Sequence, residues 1–362
     1  MATIYDVAKA AGVSPKTVSR VLNGDAPVNE KTRASVEAAI ARLNYIPSSA
    51  ARTMRSQRSG LVGMITGAIS AGPEWSAPAG LPEIFIVQGA QHLLAEHGKT
   101  LLISDTGGHP DRIPDLIQTF LEHRVEGLIY VADYHRQIDL PPIARKAPLV
   151  LANCFDAHGT PSVVPDDTGG QKAIVEGLIA RGHERIGFLT LPDSLIARGL
   201  RLKGYEAALS AARLPIDPEL MIAAAINDPV HEFDLLWDAL DRLMRGKNPP
   251  TAICCGNDKM AMRVYTILRE RGLSVPDDVS VVGYDDYRII TEHLHPTLST
   301  VDLPYGSMGI RAAERLMRLM TGAERIGEPA VETVSGPVIW RNSVKTRDRS
   351  SVTSITQWRS KT

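Results

Sequence analysis

The sequence predicts an α/β protein, with an all-α helix-turn-helix headpiece at the N-terminus followed by a two-lobed core of parallel, doubly wound sheets. Three observations support this prediction. Two short helical patterns joined by Gly12 occupy residues 3–23. Beyond Gly60, short apolar runs alternate with longer amphipathic stretches, the pattern of parallel strands covered by helices on both faces. This alternation occurs in two successive runs, which indicates two similar lobes.

The first predicted helix begins after Thr3, with Asp6 three residues later in the capping-box arrangement. Gly12 ends this helix. Ser14-Pro15 starts the second helix, because a serine hydroxyl caps free backbone N–H groups and proline fits the first helical turn. A third amphipathic segment at residues 29–43 would close a small core. Residues 1–46 are therefore expected to form one small domain.

The second helix carries Lys16 and Arg20 four residues apart, so both side chains lie on one face. In a helix-turn-helix this helix enters the major groove of DNA, where Lys and Arg donate to guanine and Asn pairs with adenine. Residues 1–58 contain nine Lys and Arg against four Asp and Glu, a charge of +5, which leaves −6 on the rest of a chain whose total is −1. The charge distribution and the helix pattern together predict a DNA-binding headpiece.

Residues 47–58 are expected to form a hinge. The segment begins with Pro47, has arginines at Arg52 and Arg55 within one amphipathic turn and a third at Arg58, and has Met54 as its one large apolar side chain. It is too short to form a stable helix unaided. Such a sequence fits a helix that forms when two copies meet on DNA and insert an apolar wedge into the minor groove.

The core, expected at residues 59–345, contains seven predicted strands and six predicted helices before its last helix. The strands are predicted at residues 61–65, 100–104, 127–131, 148–152, 185–190, 251–255 and 279–283. The helices are predicted at residues 84–97, 111–123, 169–181, 198–212, 234–244 and 258–271. Ligands of such sheets bind beyond the carboxyl ends of the strands, so the cleft between the lobes is the predicted ligand site.

Polar side chains follow several of these strands. Asn153, Asn257 and Asp285 come at strand ends, and Arg201 is predicted at the start of a helix. An amide, a carboxylate and a guanidinium that face one cleft suit a polyhydroxylated ligand, because each can make paired hydrogen bonds to neighbouring hydroxyls. The alternative is structural: Asn257 would only cap the next helix, and Asp285 would be a turn residue.

Residues 67–82 form a long Gly- and Pro-rich stretch after the first core strand, with one large aromatic residue, Trp75. Trp75 is a candidate effector-binding residue that either stacks on a sugar or belongs to a lid. The alternatives are that it anchors the loop or contacts a partner subunit.

Other classes of protein lack support in the sequence. No run approaches the roughly 20 apolar residues of a membrane span, and the N-terminus does not look like a secretion signal, so a cytoplasmic protein without membrane contact is expected. The cysteines and the ten histidines lack metal-ligand spacing, and no cofactor is expected. Phosphate loops and nucleophile elbows are missing where the strands would require them, so we expect no enzyme. A solute-binding protein would share the two-lobed core but would need an export signal.

Six segments match one known family in order. The chain resembles the lactose-repressor/galactose-repressor family of bacterial transcription regulators over nearly its whole length, through the segments TIYDVAKAAGVSPKTVSRVLNG, LNYIPSSAAR, GHERIGFL, RLKGYEAAL, TAICCGND and VSVVGYDD. The resemblance implies a periplasmic-binding-protein-like core whose chain crosses between lobes near residues 163, 302 and 326. The N-lobe would then hold residues 59–163 and 303–325, and the C-lobe residues 164–302 and 326–345.

The resemblance also assigns roles to residues. Pro15, Lys16 and Arg20 become the main base-reading positions, and Met54 occupies the wedge position where leucine is common. The full expected DNA-contacting set is Thr3, Tyr5, Ser14, Pro15, Lys16, Thr17, Ser19, Arg20, Asn23, Ala51, Met54 and Arg55. The expected effector contacts are Arg201, Asn257, Asp285, Asn153 and Trp75. Residues 67–82 depart from the family pattern, so the effector of a relative does not transfer directly.

These features predict a repressor of carbohydrate-utilisation genes that binds a palindromic operator as a homodimer and is switched by a small, sugar-like effector. The effector would bridge the lobes and change operator affinity through a coupling of about 1–3 kcal/mol. The dimer interface is expected along both lobes, including the helix at residues 305–320. The Ser/Thr/Arg-rich tail at residues 346–362 lacks the leucine heptads of a tetramerising coiled coil, which favours a dimer.

Overall fold

The structure is a computed structural model of the 362-residue chain. It describes residues 2–24, 27–46, 58–67, 69, 84–225, 231–246, 248–323 and 329–347. The expectations for the hinge at 47–57, for nearly all of the 67–82 stretch and for the tail beyond residue 347 lie outside the described residues. The chain separates into two compact units, residues 1–59 and residues 60–362.

The first unit consists of α1 (Ile4–Ala11), α2 (Pro15–Asn23) and α3 (Glu30–Leu43). The predicted caps are present: the Thr3 N–H donates to Asp6 Oδ2 at 2.8 Å, and the Thr17 N–H donates to Ser14 Oγ at 3.2 Å. Gly12 has a φ of 67°, a left-handed conformation that a side chain would strain. The core of this unit consists of small aliphatic side chains, namely Val7, Ala8, Val18, Val21, Val36 and Ala39.

The N-lobe of the second unit is a parallel six-stranded sheet. Its strands are β1 (Leu61–Thr66), β2 (Thr100–Asp105), β3 (Gly127–Gln137), β4 (Leu149–Phe155), β5 (Ser162–Pro165) and β11 (Val331–Val334), in the spatial order β2-β1-β3-β4-β5-β11. The helices of this lobe are α4 (Ile84–Glu96), α5 (Ile113–Glu122) and α11 (Tyr305–Thr321). Short 3₁₀ turns at Pro110–Arg112 and Pro142–Lys146 precede α5 and β4.

Helix α11 packs so closely on α4 that their backbones touch. A Cβ atom at Gly309 would lie 2.0 Å from the Ile86 carbonyl oxygen, and one at Gly89 would lie 2.1 Å from that of Gly306. Both positions therefore require glycine. Seven of the seventeen residues of α11 are buried, including Met308. The other residues of the helix keep accessible surface, so its place in the dimer interface remains a prediction.

The C-lobe contains a parallel four-stranded sheet. Its strands are β6 (Ile186–Thr190), β7 (Met221–Ala223), β8 (Ala252–Cys255) and β9 (Ser280–Val282), in the spatial order β7-β6-β8-β9. The helices are α6 (Asp167–Ala180), α7 (Ile196–Ala211), α8 (Glu232–Met244), α9 (Asp258–Glu270) and α10 (Arg288–Thr291), with a 3₁₀ turn at Pro218–Leu220. An antiparallel pair, β10 (Thr300–Val301) and β12 (Val338–Ile339), lies where the chain crosses between lobes.

One of the expected crossing points, near residue 326, is several residues too early. Strands β5 and β11 pair with each other in the N-lobe sheet, with Ser162 opposite Val331 and Pro165 opposite Val334. The chain therefore leaves the N-lobe after Pro165, close to the crossing expected near 163, and after Val334 rather than near 326. Each strand has four residues, and β11 alternates exposed and half-buried side chains, so neither gives the apolar run that marks a buried strand.

Candidate DNA-binding surface and ligand cleft

Helix α2 presents the predicted recognition residues at the surface of the headpiece. Lys16 and Arg20 are exposed, one helical turn apart, while Val18 and Val21 on the opposite face are buried. The neighbouring positions Pro15, Thr17 and Ser19 are half-buried, so the basic side chains extend beyond them. A long cation in this position can reach the edge of a base pair, whereas the flanking short side chains lie closer to the helix.

Other expected DNA contacts have different surroundings. Tyr5 is 71% exposed, an unusual position for a large aromatic in so small a domain. Thr3 and Ser14 are engaged in helix caps, the Thr3 hydroxyl bonding Asp6 Oδ2 at 2.7 Å. The hydrogen bonds from Thr3 hold the pKa of Asp6 below its usual value. The Asn23 side chain, Ala51, Met54 and Arg55 lie outside the described part of the chain.

A buried ion pair lies at the base of the interlobe cleft. Arg201 on α7 donates from Nε to Asp167 Oδ1 at 2.7 Å and from Nη1 to the Gly256 carbonyl oxygen at 2.6 Å. One face of its guanidinium covers the Tyr284 ring, 3.5 Å from the centroid, and the Tyr284 hydroxyl donates to the Asp167 carbonyl oxygen at 3.4 Å. Helix α7 begins at Ile196, so Arg201 lies in the second turn and not at the helix start as expected.

The charges of this pair stabilise each other. Burial alone would lower the pKa of Arg201, but the nearby charge of Asp167 raises it above its ordinary value. Burial alone would raise the pKa of Asp167, but the Arg201 charge and a hydrogen bond from His135 hold it below its ordinary value. Both groups are therefore ionised at neutral pH.

His135 connects the N-lobe to this pair. It lies on β3, it is buried, and its Nδ1 is 2.9 Å from Asp167 Oδ2. The ring meets Phe155 edge-on, with centroids 5.9 Å apart. The two oxygens of Asp167 thus bond residues from different lobes, one to His135 and the other to Arg201.

Asp285 lines the cleft from the C-lobe side. It follows β9 with a φ of 121°, a conformation unusual for a residue with a side chain. Burial raises its pKa to about 7, against the opposing influence of the Arg201 charge. The neighbouring Asp286 has separate partners, among them Arg341 Nη2 at 2.7 Å, so these adjacent carboxylates do not act as a pair.

Asp258 lies behind Asp285 as a structural carboxyl. Its Oδ1 accepts from Thr300 Oγ1 at 2.7 Å, and its Oδ2 accepts from the Tyr287 N–H at 2.8 Å. Burial and then the charge of Asp285 raise its pKa well above the ordinary value. A Cβ at Gly283 would lie 2.1 Å from Asp258 Oδ1, so glycine is required there.

The two asparagines combine structural and cleft positions. Asn257 Oδ1 accepts from the Met260 N–H at 2.7 Å and caps α9, which is the structural role considered above, and the residue also lines the cleft. Asn153 has a φ of 59°, and its Nδ2 donates to the Ala132 carbonyl oxygen at 3.1 Å. Among the residues that the structure describes, these bonds use the amide oxygen of Asn257 and the amide nitrogen of Asn153, so the other amide atom of each is the one that a ligand can engage.

The cleft contains a small cavity of about 70 Å³. Both lobes line it, with Tyr134, His135, Asn153 and Pro165 from the N-lobe, Asp167, Leu191, Leu195, Ala197, Arg201, Asn257 and Asp285 from the C-lobe, and Leu303 and Tyr305 from a crossing segment. Trp75 lies outside the described residues. Tyr134, 37% exposed, is a described aromatic side chain that can stack on a ligand.

Sequence reasoning missed His135 and Asp167. The predicted third strand ends at residue 131, whereas β3 continues to Gln137 past an irregularity in its pairing with β4, so His135 was not recognised as a strand residue. The short strand β5 was not identified, which hid the position of Asp167 beyond a strand end. The available signal was the Pro165-Asp166-Asp167 sequence, in which Asp166 caps α6 through a bond from the Gly169 N–H.

The described residues offer neither a candidate metal site nor a candidate membrane-spanning helix. Across the described ranges, no three His, Cys, Asp or Glu side chains are arranged to hold a metal ion. Among the helices that the structure describes, none is long and apolar enough to cross a membrane. Burial raises the pKa of the Cys254 thiol to about 12, and Cys255 is also buried, so both are unreactive residues of the β8 core.

Comparison with known proteins gives matches at both ends of the chain. The family described as bacterial regulatory proteins, lacI family, matches residues 3–48, and a periplasmic binding protein-like domain matches residues 175–344. The ribose operon repressor of Escherichia coli strain K12 is 34% identical over 325 residues, which cover 89% of this chain and 94% of the relative. The transcriptional repressor PurR of Vibrio atlanticus is 29% identical over 355 residues, which cover 96% and 99%.

A solved structure matches over the same extent. The crystal structure of the lac repressor dimer, bound to operator and the anti-inducer ONPF, aligns with a TM-score of 0.77 and 27% identity. The alignment covers 95% of this chain and 99% of that chain. Both the headpiece and the two-lobed core are therefore shared with that protein.

Proposed function

The chain belongs to the lacI family of bacterial regulatory proteins, and from this membership we propose that it is a dimeric repressor whose hold on an operator is set by a neutral, polyhydroxylated ligand in the interlobe cleft. As a member of this family it is a DNA-binding transcriptional regulator that responds to a ligand. The proposal concerns the residues, the ligand class and the assembly that carry out this function.

The observation that carries the proposal is that one cleft is lined by polar groups from both lobes. His135 and Asn153 come from the N-lobe, and Arg201, Asn257 and Asp285 from the C-lobe. A ligand that bonds both sets favours the closed arrangement of the lobes, and it shifts the equilibrium by as much as its affinities for the two arrangements differ. Closure of the lobes would change the affinity for the operator through residues 47–58.

The charges in the cleft support an uncharged ligand. Arg201 is already paired with Asp167, and Asp285 adds a further carboxyl, so an anionic ligand finds no unpaired cation among the described lining residues. Carboxylate and amide oxygens accept hydrogen bonds from hydroxyls, and Tyr134 offers a ring face to the apolar side of a sugar. The name of one relative, the ribose operon repressor, agrees with this class.

The DNA-binding role rests on helix α2. We assign base reading to Lys16 and Arg20, with Pro15 as an apolar neighbour that has no donor, and we assign the minor-groove wedge to Met54. Two copies related by a two-fold axis require two inverted half-sites.

The assembly follows from apolar surface that the chain leaves exposed. In the N-lobe, Ile84 and Phe85 of α4 and Ile103 of β2 are exposed, and in the C-lobe Met262 and Ile289 are exposed. We propose that a second copy of this chain covers these side chains. The domain boundaries proposed here are residues 1–46 for the headpiece, 47–58 for the hinge, 59–165 and 303–334 for the N-lobe, and 166–302 and 335–347 for the C-lobe.

We further propose that the ligand is bound and released unchanged and that the protein works in the cytoplasm beside its DNA. The relatives described above are transcriptional repressors. Incubation with each sugar of a panel, followed by product analysis, should return the sugar intact. Turnover of a sugar would contradict this part of the proposal.

The operator experiment tests the whole proposal. Selection from random DNA followed by footprinting should yield a site with two inverted half-sites, and a panel of neutral sugars should raise the thermal midpoint by mass action and change the footprint. Protection of a single asymmetric half-site would contradict the dimer. A footprint insensitive to every neutral sugar, but altered by anionic ones, would contradict the ligand class.

A further inference from the structure

His135 stands at the junction of the two lobes and the cleft. It belongs to β3, it lines the cleft, and it bonds Asp167 of the C-lobe rather than a backbone group of its own lobe. Burial of an imidazole costs free energy unless both ring nitrogens have hydrogen-bond partners. This position is therefore unfavourable for a histidine that has only a structural role.

Asp167 determines which nitrogen of His135 carries the hydrogen. The Asp167 carboxylate is paired with Arg201 through Oδ1, so its Oδ2 acts as an acceptor towards His135 Nδ1. Nδ1 must then be the donor. In the neutral ring, the hydrogen bond at one nitrogen leaves the other, Nε2, as an acceptor.

We propose that His135 is a specificity-determining residue of the ligand site, whose Nε2 accepts a hydrogen bond from one hydroxyl of the ligand while Asp167 orients the ring. The inference rests on the function proposed above. It adds a residue of the N-lobe that recognises the ligand. This residue is joined through Asp167 to Arg201 and the Gly256 carbonyl of the C-lobe.

The surrounding groups favour a hydroxyl as the partner of Nε2. The Asp285 carboxyl and the Asn153 amide oxygen line the same cleft and are also acceptors. A carboxylate or phosphate would bring lone pairs against these oxygens, whereas a hydroxyl can donate to one of them and accept from Asn257 Nδ2. A site built to bond a hydroxyl discriminates against the analogue that lacks it, because its own buried polar group is then left unpaired.

Two substitutions separate the recognition of a ligand hydroxyl by Nε2 from the hydrogen bond of Nδ1 to Asp167. In His135→Asn the amide nitrogen takes the place of Nδ1 and can still donate to Asp167, but no acceptor remains at the position of Nε2. In His135→Gln the amide reaches the position of Nε2 and offers an acceptor, but nothing remains at the position of Nδ1. The two variants therefore form a matched pair that tests each nitrogen by itself.

The experiment is isothermal titration calorimetry on the full chain with D-ribose, D-glucose and D-galactose, followed by each monodeoxy derivative of the sugar that binds. Wild-type protein should lose about five- to tenfold in affinity for the derivative that lacks the hydroxyl read by His135, the size of one ordinary hydrogen bond. His135→Asn should bind that derivative and its parent equally. His135→Gln should retain the discrimination. Circular dichroism and the thermal midpoint establish that each variant is folded.

The outcomes are distinct. If both variants discriminate at every hydroxyl as the wild type does, the role of His135 is overturned and the proposed function remains. If His135→Asn fails to fold, loss of discrimination in His135→Gln overturns the role, and its retention supports it. If none of the three sugars binds the wild type, the proposed carbohydrate ligand is wrong, and the role of His135 is overturned with it.

Discussion

Asp167→Asn gives the sharpest test of the buried ion pair, because it removes one charge and keeps the shape of the side chain. In the wild type, Asp167 bonds Arg201 Nε at 2.7 Å and His135 Nδ1 at 2.9 Å, and the side chains of Asp167 and Arg201 are 0% and 5% exposed. The single amide oxygen of Asn can accept one of these two hydrogen bonds. The amide carries no negative charge to balance Arg201. Arg201 is then left as a buried cation held by the Gly256 carbonyl and the face of Tyr284.

The expected loss of unfolding free energy follows from this burial. Removal of one partner from a buried pair costs about 3–5 kcal/mol, since it leaves the other charge buried and uncompensated. The Asn oxygen still accepts one hydrogen bond, and Arg201 keeps its contacts with the Gly256 carbonyl and Tyr284. The expected loss of unfolding free energy is therefore near the lower end of this range. For a core of this size, about 3 kcal/mol corresponds to a fall of about 6 °C in the thermal midpoint.

Asp277→Asn is the matched control. Asp277 bonds Lys345 at the same distance, 2.7 Å, but the two side chains are 70% and 52% exposed. Exposed pairs contribute about 0–1 kcal/mol. Urea denaturation of both variants and the wild type at neutral pH measures the difference directly. Equal, small losses for Asp167→Asn and Asp277→Asn would refute the claim that the Asp167–Arg201 pair holds the base of the cleft.

Three further predictions concern the headpiece, the cleft and the N-lobe. Arg20→Ala should weaken operator binding by about 1–3 kcal/mol and relax selection at one base pair, whereas Arg55→Ala should weaken binding to all sequences alike, as competition with random DNA will show. Because its folded-state pKa is raised from 3.8 to about 7, Asp285 contributes stability that is present below pH 4 and is lost as the pH rises through 7. Asp285→Asn should therefore flatten the fall in unfolding free energy between pH 4 and 7, and an unchanged profile would contradict the burial of this carboxyl. Gly309→Ala forces a Cβ onto a backbone carbonyl and should cost about 1–3 kcal/mol, whereas Gly306→Ala in the same helix meets open space, so equal thermal midpoints for the two variants would disprove the close packing.

The headpiece was predictable from sequence because its determinants are local. Capping side chains and the turn glycine act within four residues, so the starts of α1 and α2 follow from Thr3 and Ser14 alone. The alternation of apolar runs and amphipathic stretches was likewise enough for the two parallel sheets, whose class the structure confirms. Local patterns suffice where a single element contains the whole signal.

The cleft was predictable only in part. Arg201, Asn257 and Asp285 belong to segments with a recognisable pattern, and all three line the cleft. His135 and Asp167 were not predicted because each depends on an element without a strong local signal, the irregular end of β3 and the four-residue strand β5. Their meeting joins residues 32 positions apart in the chain and in different lobes, which only the folded structure can show.

Reciprocal titration of operator and ligand tests the central claim that the cleft controls DNA binding. Operator affinity is measured by fluorescence anisotropy with and without a saturating sugar, and sugar affinity by calorimetry with and without saturating operator. Linkage requires both affinities to change by the same factor, expected at about 5- to 150-fold. A sugar that binds the cleft while leaving operator affinity unchanged would contradict the account.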